Sequence, residues 1–432
     1  MSVADNYNST KGLSIKKQTI WNCFSGFLAA LEMTIMTATA SRFVDLNAAG
    51  EITIAFALGY VFRTIGFWGV RNYHVSDRNE EYSFSVYRTA RYFSMGVMIA
   101  FVLLYLAFAF FVQKRSVSKL LVIFLFQVVF AVESFEDVVW GEYQRKGRID
   151  IGAKLFLVRW GSLIATFILS VFILRRLLPS IVISISVSLV FFFIFLLFVF
   201  GLPESKKGEY DYHQNVLQSK KLMMSTLPLF LITFLSFFLN NVAKYSLDCY
   251  YDASTQALFG FVTMPLFAVE MFSAFIYQPK LSNLSRLWLD KDIKEYIHEI
   301  LRQLLYIIII LIVSIVLMYL LGIPILSFVF STDLTSYRID LIICALSGGS
   351  IAFLTYACAI LTIMRKQKIL LLQYGIATII GGTFIWMLAR SYGIRGATIG
   401  NLLVFSLQAV SLYVVMFLIL KRNYCQLPCK KR

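Results

Sequence analysis

Long apolar runs separated by short polar segments recur along the whole chain of 432 residues. Each run is long enough for a helix of about 20 residues, the length that crosses a hydrocarbon core of roughly 30 Å. Backbone groups in lipid must be hydrogen-bonded within the span, so we interpret these runs as transmembrane helices. The pattern predicts an all-α polytopic membrane protein with about twelve spans. The predicted spans cover residues 18–41, 50–70, 90–112, 119–142, 152–174, 178–201, 222–246, 254–278, 300–321, 339–363, 369–389 and 397–420.

Composition excludes a soluble fold. Hydrophobic residues make up 59% of the chain and charged residues only 15%, whereas soluble domains carry roughly 25% charged residues. The polar segment 1–17 lacks the apolar region and cleavage site of a signal peptide, so we expect the first span to be retained as an anchor. The six cysteines are scattered without metal-binding spacing, and we expect no metal cofactor.

The basic residues indicate how the chain is oriented. The net charge is +16, but Lys and Arg flank the apolar runs, so we expect contact with membrane lipids and none with nucleic acid. The two tails and every second loop hold 28 of the 40 basic residues, while the opposite loops hold about 9. This bias predicts a multi-pass protein of the cytoplasmic membrane with both termini in the cytoplasm.

A polar segment between the sixth and seventh spans suggests two halves. We predict an N-lobe of six helices (1–202), a cytoplasmic linker (203–221) and a C-lobe of six helices with a basic tail (222–432). All predicted external loops are short, which argues against a polymerase or transferase with chemistry on a large external loop. Nucleotide-binding, nucleophile and zinc-protease motifs are also missing. We therefore predict that the chain is not an enzyme, although a cytoplasmic catalytic site stays open.

Four segments resemble one transporter family: GFWGVRNYHVSD (66–77), ESFEDVVWGEYQRKGRIDIGAK (133–154), DASTQALFGFVTMP (252–265) and YGIRGATIGNLL (392–403). Together they resemble the Wzx-type polysaccharide flippases of the MOP superfamily, which are relatives of MATE exporters and lipid II flippases. The resemblance extends over essentially the whole chain. Its motifs are family-level and do not identify the glycan.

The resemblance implies a fold, a substrate and partners. The fold would be a V-shaped, two-lobed carrier that works by alternating access. The substrate would be an undecaprenyl-pyrophosphate-linked oligosaccharide for surface polysaccharide biosynthesis, and polysaccharide polymerase or glycosyltransferases would be partners. Transport would be coupled to an ion gradient, H⁺ or Na⁺, with no other cofactor. A second hypothesis is a MATE-like, cation-coupled exporter of small molecules.

Three of the basic residues in predicted spans are candidates for function, because a charge within a span is costly and usually functional. Arg63, Arg159 and Lys244 are candidates to line a cavity that attracts the pyrophosphate of the substrate. The guanidinium group suits that task because it stays charged and forks onto phosphate oxygens. The alternative is that each arginine pairs with a nearby acid and holds helices together. Lys244 can also be an anchor at the outer interface.

Glu32 and Glu270 are the deepest of the intramembrane acids. Either could bind a coupling proton or sodium ion, since burial makes a carboxylate titrate usefully. The alternative is a structural role as a partner for Arg63.

A second acidic group lies in the fourth span. Glu133 and Asp137 are one helical turn apart and share a face, with Glu136 beside them. Glu133 and Asp137 are candidates for ion coupling or for gating. For Asp137 the gating role would be to close a cytoplasmic gate by pairing with Arg145 or Arg148.

The cytoplasmic end of the second span carries a polar group. Arg71, with Asn72, Tyr73 and Asp77, could contact an entering headgroup or form an inner gate, or could anchor the helix and cap the next segment. The three histidines (74, 213 and 298) fall in loops or at the interface. Residues 285–304 alternate apolar and charged positions, which predicts an interfacial amphipathic helix leading into the ninth span.

Overall fold

A computed structural model describes residues 15–77, 81–198 and 212–425. Within these ranges the chain is helical, which confirms the predicted all-α fold. The first part contains α1 (Ile15–Phe43), α2 (Leu46–Phe67), α3 (Val70–Ser76), α4 (Phe84–Phe111), α5 (Val117–Arg145), α6 (Ile149–Leu174), α7 (Leu177–Phe198) and α8 (Tyr212–Tyr250). The second part contains α9 (Ala253–Val262), α10 (Met264–Tyr277), α11 (Leu281–Leu289), α12 (Ile293–Leu317), α13 (Ile323–Phe330), α14 (Arg338–Ile363), α15 (Gln367–Ile376) and α16 (Gly382–Cys425).

The described residues hold 11 helical segments that are long and apolar enough to cross a membrane. The last segment, Gln367–Lys421, has 55 residues, far more than the roughly 20 that one span needs. It is bent at Gly393, whose φ of 58° and ψ of −136° are accessible to glycine but strained for other residues. The segment therefore divides into two parts at this glycine.

Contacts across the bend show that these two parts run antiparallel. The Gln373 amide donates to the Gln408 carbonyl at 3.3 Å. Nearer the bend, a Cβ added to Gly381 would lie 2.6 Å from Val404, and one added to Gly400 would lie 3.2 Å from Ile385. In these contacts the residue number rises in the first part while it falls in the second, which is the pattern of an antiparallel helical hairpin. Counting the hairpin as two spans gives the predicted twelve.

The chain consists of two compact units, unit 1 (Met1–Phe237) and unit 2 (Phe238–Arg432). The boundary falls inside α8. The predicted lobe boundary at 203–221 begins among residues outside the described ranges, and it stays a prediction.

In unit 1, α2 is the central helix and packs against α1, α4 and α5. Small residues permit this close approach: a Cβ added to Gly59 would collide with the ring of Phe130 on α5. Phe130 and Phe56 in turn pack around Trp160 of α6, with ring centroids 6.1 and 6.2 Å from the indole. The aromatic packing fixes the relative positions of α2, α5 and α6, which carry most of the charged residues described below.

The end of α2 is redirected by two residues with left-handed backbone. Trp68 has φ 48° and Gly69 has φ 68°, after which the chain enters the short helix α3. The Trp68 indole stacks on Phe230 at a centroid distance of 4.1 Å and donates to the Met223 carbonyl at 3.1 Å. These contacts hold the redirected chain in place and so position Arg71 and His74 on α3.

In unit 2, α14 is the central helix and packs against α10, α12 and α16. Gly348 allows the approach of α10, because an added Cβ would lie 2.7 Å from the Leu266 carbonyl oxygen. The predicted amphipathic helix over 285–304 is interrupted, because α11 ends at Leu289 and α12 begins at Ile293. Lys291 adopts a φ of 57° and Asp292 caps the next helix by accepting the Glu295 amide at 3.2 Å. The amphipathic α11 therefore ends before α12 begins.

Candidate functional site

Four buried carboxylates lie along α5, and each pairs with a cation from another part of unit 1 or from the end of its own helix. In chain order they are Glu133, Glu136, Asp137 and Glu142. The helical rise of about 1.5 Å per residue spreads these four groups over roughly 14 Å along the helix axis. We refer to these carboxylates and their partners as the α5 ladder.

The first pair joins Glu133 to Arg63 of α2, with 2.6 Å between Oε1 and the guanidinium nitrogen Nη1. The guanidinium carbon also lies 5.1, 5.3 and 5.4 Å from the ring centroids of Tyr60, Phe67 and Phe130. Such contacts are favourable for a cation. The Arg63 side chain keeps 19% of its surface exposed, so the pairing leaves part of the guanidinium accessible.

Glu32 of α1 lies beside this pair. It is 1% exposed and accepts a hydrogen bond from the Tyr60 hydroxyl at 3.2 Å. The other carboxylate oxygen, Oε2, has no hydrogen-bond partner among the described residues, and the same holds for Oε2 of Glu133. Buried carboxylate oxygens normally have partners, so these two atoms have unused capacity to bind a proton or a cation.

Glu136 points to a different neighbour and pairs with Arg159 of α6, with 2.9 Å between Oε2 and Nε. Both side chains are completely buried. Nη1 and Nη2 of Arg159 donate to no described group. The predicted contact of Arg159 with substrate stays a prediction, and in this structure the side chain has no exposed surface from which to make it.

Counting charges shows that this inner part of the ladder is negative. Glu32 interacts electrostatically with Arg63, Glu133 and Arg159, and Glu136 interacts with Glu133. Three carboxylates therefore face two guanidinium groups. With every group ionised, the cluster carries one surplus negative charge in a region with little solvent, where such a charge is costly unless it is neutralised.

Asp137 forms the next pairs, with two arginines at once. Its Oδ1 lies 3.1 Å from Arg71 of α3, and its Oδ2 lies 2.6 Å from Arg91 of α4. Arg91 is completely buried and also donates to the Gly66 carbonyl at the end of α2. The predicted gate between Asp137 and Arg145 or Arg148 is not formed, because the redirection of the chain at Trp68 brings Arg71 to this carboxylate instead.

Arg145 and Arg148 have other acidic partners in the described structure. Arg145 pairs with Glu142 at 3.2 Å, and Arg148 pairs with Asp150 at 3.1 Å. Glu142 also lies 2.9 Å from Nε2 of His74. His74 lies in the helix α3 and not in a loop, its ring is completely buried and stacks on Tyr87 at 4.0 Å, and the interface position stays a prediction.

Two predicted site residues lie in unit 2. Lys244 of α8 is only 3% exposed, and its ammonium group lies 5.6 Å from the centroid of the Phe267 ring. Glu270 lies one turn beyond Phe267 on α10 and is half-buried. Neither side chain forms an ion pair or a hydrogen bond with any residue that the structure describes. The predicted roles of both residues stay predictions.

Sequence reasoning missed several residues, among them Arg91 and Glu142 of the α5 ladder and Tyr60, which bonds to Glu32 beside it. Arg91 is the second residue of the third predicted span, a position typical of a flanking basic residue. The structure begins α4 earlier, at Phe84, which places Arg91 inside the helix. Tyr60 is one turn before Arg63 on α2, so helical spacing places the two side chains on one face.

Comparison with solved structures finds the same fold in MOP superfamily transporters. An inward-facing MATE multidrug transporter matches with 12% identity and a TM-score of 0.69, over 92% of this chain and 96% of that chain. The lipid II flippase MurJ, inward closed, matches with 14% identity and a TM-score of 0.70, over 92% and 87%. The Vibrio cholerae MATE transporter VcmN in its bent form matches with 13% identity and a TM-score of 0.57, over 97% of this chain and 98% of that chain.

The sequence comparisons find nothing: no family model matches the chain, and no curated protein matches it significantly. Because the structural neighbours are so distant in sequence, the likeness establishes the fold alone. The chain is a multi-pass helical membrane protein with the fold of the MOP superfamily transporters.

Proposed function

We propose that this chain is a Wzx-type flippase that moves an undecaprenyl-pyrophosphate-linked oligosaccharide from the inner to the outer leaflet of the cytoplasmic membrane. Alternating access is the mechanism, and surface polysaccharide biosynthesis is the process served. The accessible guanidinium of Arg63 carries the proposal, because it is a fixed positive charge inside a span of a transporter fold.

The bonding of Arg63 leaves room for a ligand. Only Nη1 is used, in the bond to Glu133, and its Nε and Nη2 donate to no described residue. A guanidinium group with free donors on one edge suits the paired oxygens of a pyrophosphate. The rings of Tyr60, Phe67 and Phe130 lie beside the guanidinium group and give it a partly apolar environment. This strengthens the attraction between the guanidinium and an anion.

The surplus negative charge of the inner cluster supports coupling to a cation. We assign the coupling ion to Glu32, whose Oε2 is buried and unpartnered. We propose that this ion is a proton, because a single unpartnered carboxylate oxygen is enough to bind one. Glu270 is the corresponding candidate in unit 2.

The transport proposal is tested with the full chain in sealed vesicles. The probe is a fluorescent polyprenyl-pyrophosphate-linked disaccharide, and a membrane-impermeant quencher reports which leaflet holds it. Arg63→Gln should abolish protein-dependent flipping. This change also leaves Glu133 without its cation. The double variant Arg63→Gln/Glu133→Gln restores the charge balance, and we expect it to flip the probe no faster than Arg63→Gln does.

A matched control replaces an arginine elsewhere. Arg302 pairs with Glu299 at 3.0 Å and is 45% exposed, so Arg302→Gln should flip the probe at the wild-type rate. Normal flipping by the balanced double variant would remove Arg63 from the substrate path and overturn the proposed site.

Coupling is tested in the same vesicles by imposing a proton gradient or a sodium gradient. In wild type the proton gradient alone should accelerate flipping, and Glu32→Gln should remove the acceleration. A response to sodium alone would overturn the assignment of the proton.

A MATE-like exporter of small cations is the second candidate, because the surplus negative charge near Glu32 would also attract an organic cation. Export of ethidium by wild type, together with no movement of the lipid-linked probe, would favour this function over the flippase.

A further inference from the structure

A second cation of the ladder lines a cavity that the proposed function does not use. Beyond the end of α2, Arg71, Asn72, Val75 and Ser76 of α3 face Gln144 of α5 across a cavity of about 380 Å³. This volume lies within the range of roughly 300–1,000 Å³ that is typical of small-ligand pockets. None of these five lining residues is acidic, and Arg71, Asn72 and Gln144 carry side-chain N–H groups that can donate hydrogen bonds.

We propose that this cavity binds the phosphate groups of the lipid-linked substrate before they reach Arg63. The inference rests on the proposed flippase function and deepens it, since it names a separate entry site for the same headgroup. The ligand chemistry is a phosphate or pyrophosphate oxyanion. Such a group could belong to the lipid-linked substrate or to free pyrophosphate, and the experiment below separates the two.

The Arg71 side chain is held in one orientation. Its Nη1 bonds to Asp137 at 3.1 Å, and its Nε and Nη2 bond to the Gln144 carbonyl oxygen at 3.3 and 2.8 Å. Even so, 32% of the side chain is exposed. An arginine that is already ordered loses little conformational entropy when an anion binds. The remaining donors of its guanidinium are therefore preorganised for a ligand in the cavity.

A count of the charged groups shows that the cavity is electrostatically positive. Asp137 is shared between Arg71 and Arg91, so two guanidinium groups face one carboxylate. One positive charge remains. Arg91 is completely buried, and the surplus is therefore presented to the cavity at the exposed edge of Arg71. This is the opposite of the inner cluster, where carboxylates outnumber arginines.

The ladder places the cavity one step from Arg63. Asp137, the partner of Arg71, lies four residues beyond Glu133, the partner of Arg63, and both belong to α5. The helical rise separates the two levels by about 6 Å. In the predicted orientation Arg71 is nearer the cytoplasm. An anion bound at Arg71 would thus have a second guanidinium group, that of Arg63, within one further turn of the same helix.

The experiment measures binding to the full-length protein in nanodiscs. The probes are a polyprenyl pyrophosphate and inorganic pyrophosphate, titrated separately against wild type and Arg71→Gln. Because a charge-assisted hydrogen bond is lost, we expect Arg71→Gln to weaken binding of both probes by about 10- to 100-fold. Arg71→Lys, which keeps the charge but loses the fork, should give an intermediate affinity.

The control is Arg148→Gln, which removes an arginine that pairs with Asp150 and does not line the cavity; it should bind both probes as wild type does. Arg71→Gln should remain folded because Asp137 keeps Arg91, and an unchanged melting temperature checks this. Unchanged binding in folded Arg71→Gln would overturn the site. Weakened binding of inorganic pyrophosphate alone would overturn the lipid headgroup as its ligand.

These outcomes are separate from those for the proposed function. The binding assay does not depend on flipping, and the Arg63 variants keep the Arg71 cavity. Lost flipping in Arg63→Gln combined with unaffected binding in Arg71→Gln would leave the flippase proposal standing and remove only the entry site.

Discussion

In unit 1 the four buried carboxylates of α5 all face cations, whereas in unit 2 Lys244 and Glu270 face no opposite charge among the described residues. The difference lies in how each charge is stabilised. A paired buried charge depends on its partner for stability, and removing the partner is costly. A charge without a partner contributes no such bond to the folded state. Substitutions should therefore be costly at the paired carboxylates of α5 and nearly neutral for stability at Lys244 and Glu270.

The comparison also shows that pairing does not by itself decide function. Within unit 1 the pairs differ in accessibility: Arg159 and Arg91 are completely buried, whereas Arg63 and Arg71 keep 19% and 32% of their side-chain surface. The buried arginines hold helices together. The two that are partly exposed also hold helices, and in our proposals each of them binds an anion as well.

The largest effect is expected for Glu136→Ala, which leaves the Arg159 guanidinium buried without a carboxylate. We expect the free energy of unfolding to fall by about 3–5 kcal/mol. Thermal or denaturant unfolding in detergent micelles measures the loss. The double variant Glu136→Leu/Arg159→Met removes both charges at similar volume and should be close to wild type. An equal loss in the single and double variants would show that packing, not charge, holds α5 to α6.

The next effect tests whether pairing or membership of a unit sets the cost. In unit 2, Arg395 donates to Asp340 from Nε and Nη2 at 2.5 and 3.0 Å, and Thr398 donates to the same carboxylate at 3.1 Å. The arginine is 45% exposed and Asp340 only 3%.

Because solvent and Thr398 partly replace the lost partner, Arg395→Ala should cost about 1–3 kcal/mol, less than Glu136→Ala. Equilibrium unfolding measures it, with Arg395→Lys as the control that retains the charge. A cost near zero would mean that unit 2 tolerates broken pairs, and the comparison between the units would then not depend on pairing.

A smaller effect is expected from pH at Asp77, which lies outside the spans between α3 and α4. Burial raises the pKa of this carboxyl, but hydrogen bonds from the Glu81 and Tyr82 amides and the Tyr87 hydroxyl outweigh it, so the pKa is lowered overall. A lowered pKa means that the folded state favours the carboxylate. The contribution is fully present above the ordinary aspartate pKa of about 3.9 and is lost as pH falls through the lower folded value.

Asp77→Asn should remove this acid sensitivity and cost roughly 1 kcal/mol or less at neutral pH. Melting temperatures of both proteins measured across the acid range check the expectation. A wild-type curve that runs parallel to that of Asp77→Asn at acid pH would contradict it.

The fold was largely predictable because lipid imposes a strong constraint on sequence. The apolar runs located the spans, and the hairpin at Gly393 is consistent with the glycine between the eleventh and twelfth predicted spans. Local breaks were not predictable. Lys291 and Asp292 interrupt an amphipathic pattern that is otherwise continuous, and the left-handed Trp68 is an unusual residue for such a backbone.

The ladder could be predicted only in part. The sequence identified Arg63, Glu133 and Asp137 as intramembrane charges, because their cost in lipid is a property of each residue. It could not say which pairs form. Arg63 and Glu133 are 70 residues apart, and their contact depends on how α2 packs on α5. The burial of His74 likewise follows from the redirected chain after Trp68.

The smallest effect on stability is expected for the lone charges of unit 2. Lys244→Met and Glu270→Gln remove a charge while keeping most of the side-chain volume. Each should leave the free energy of unfolding within about 1 kcal/mol of wild type, with a shift toward stabilisation for Lys244→Met because an ammonium group no longer has to be buried. Equilibrium unfolding under the conditions used for Glu136→Ala gives the direct comparison.

The flipping assay then tests whether Lys244 and Glu270 have a function in transport. A charge that is kept without a partner in the folded state contributes little to stability, so it must act on a ligand or an ion if it acts at all. We expect Lys244→Met and Glu270→Gln to flip the lipid-linked probe slowly despite their normal stability, while Lys244→Arg retains the rate. If both neutral variants are as unstable as Glu136→Ala, each charge has a structural partner after all and the contrast between the units fails. If they are stable and flip normally, the contrast between the units still holds for folding, and Lys244 and Glu270 have no part in the proposed transport.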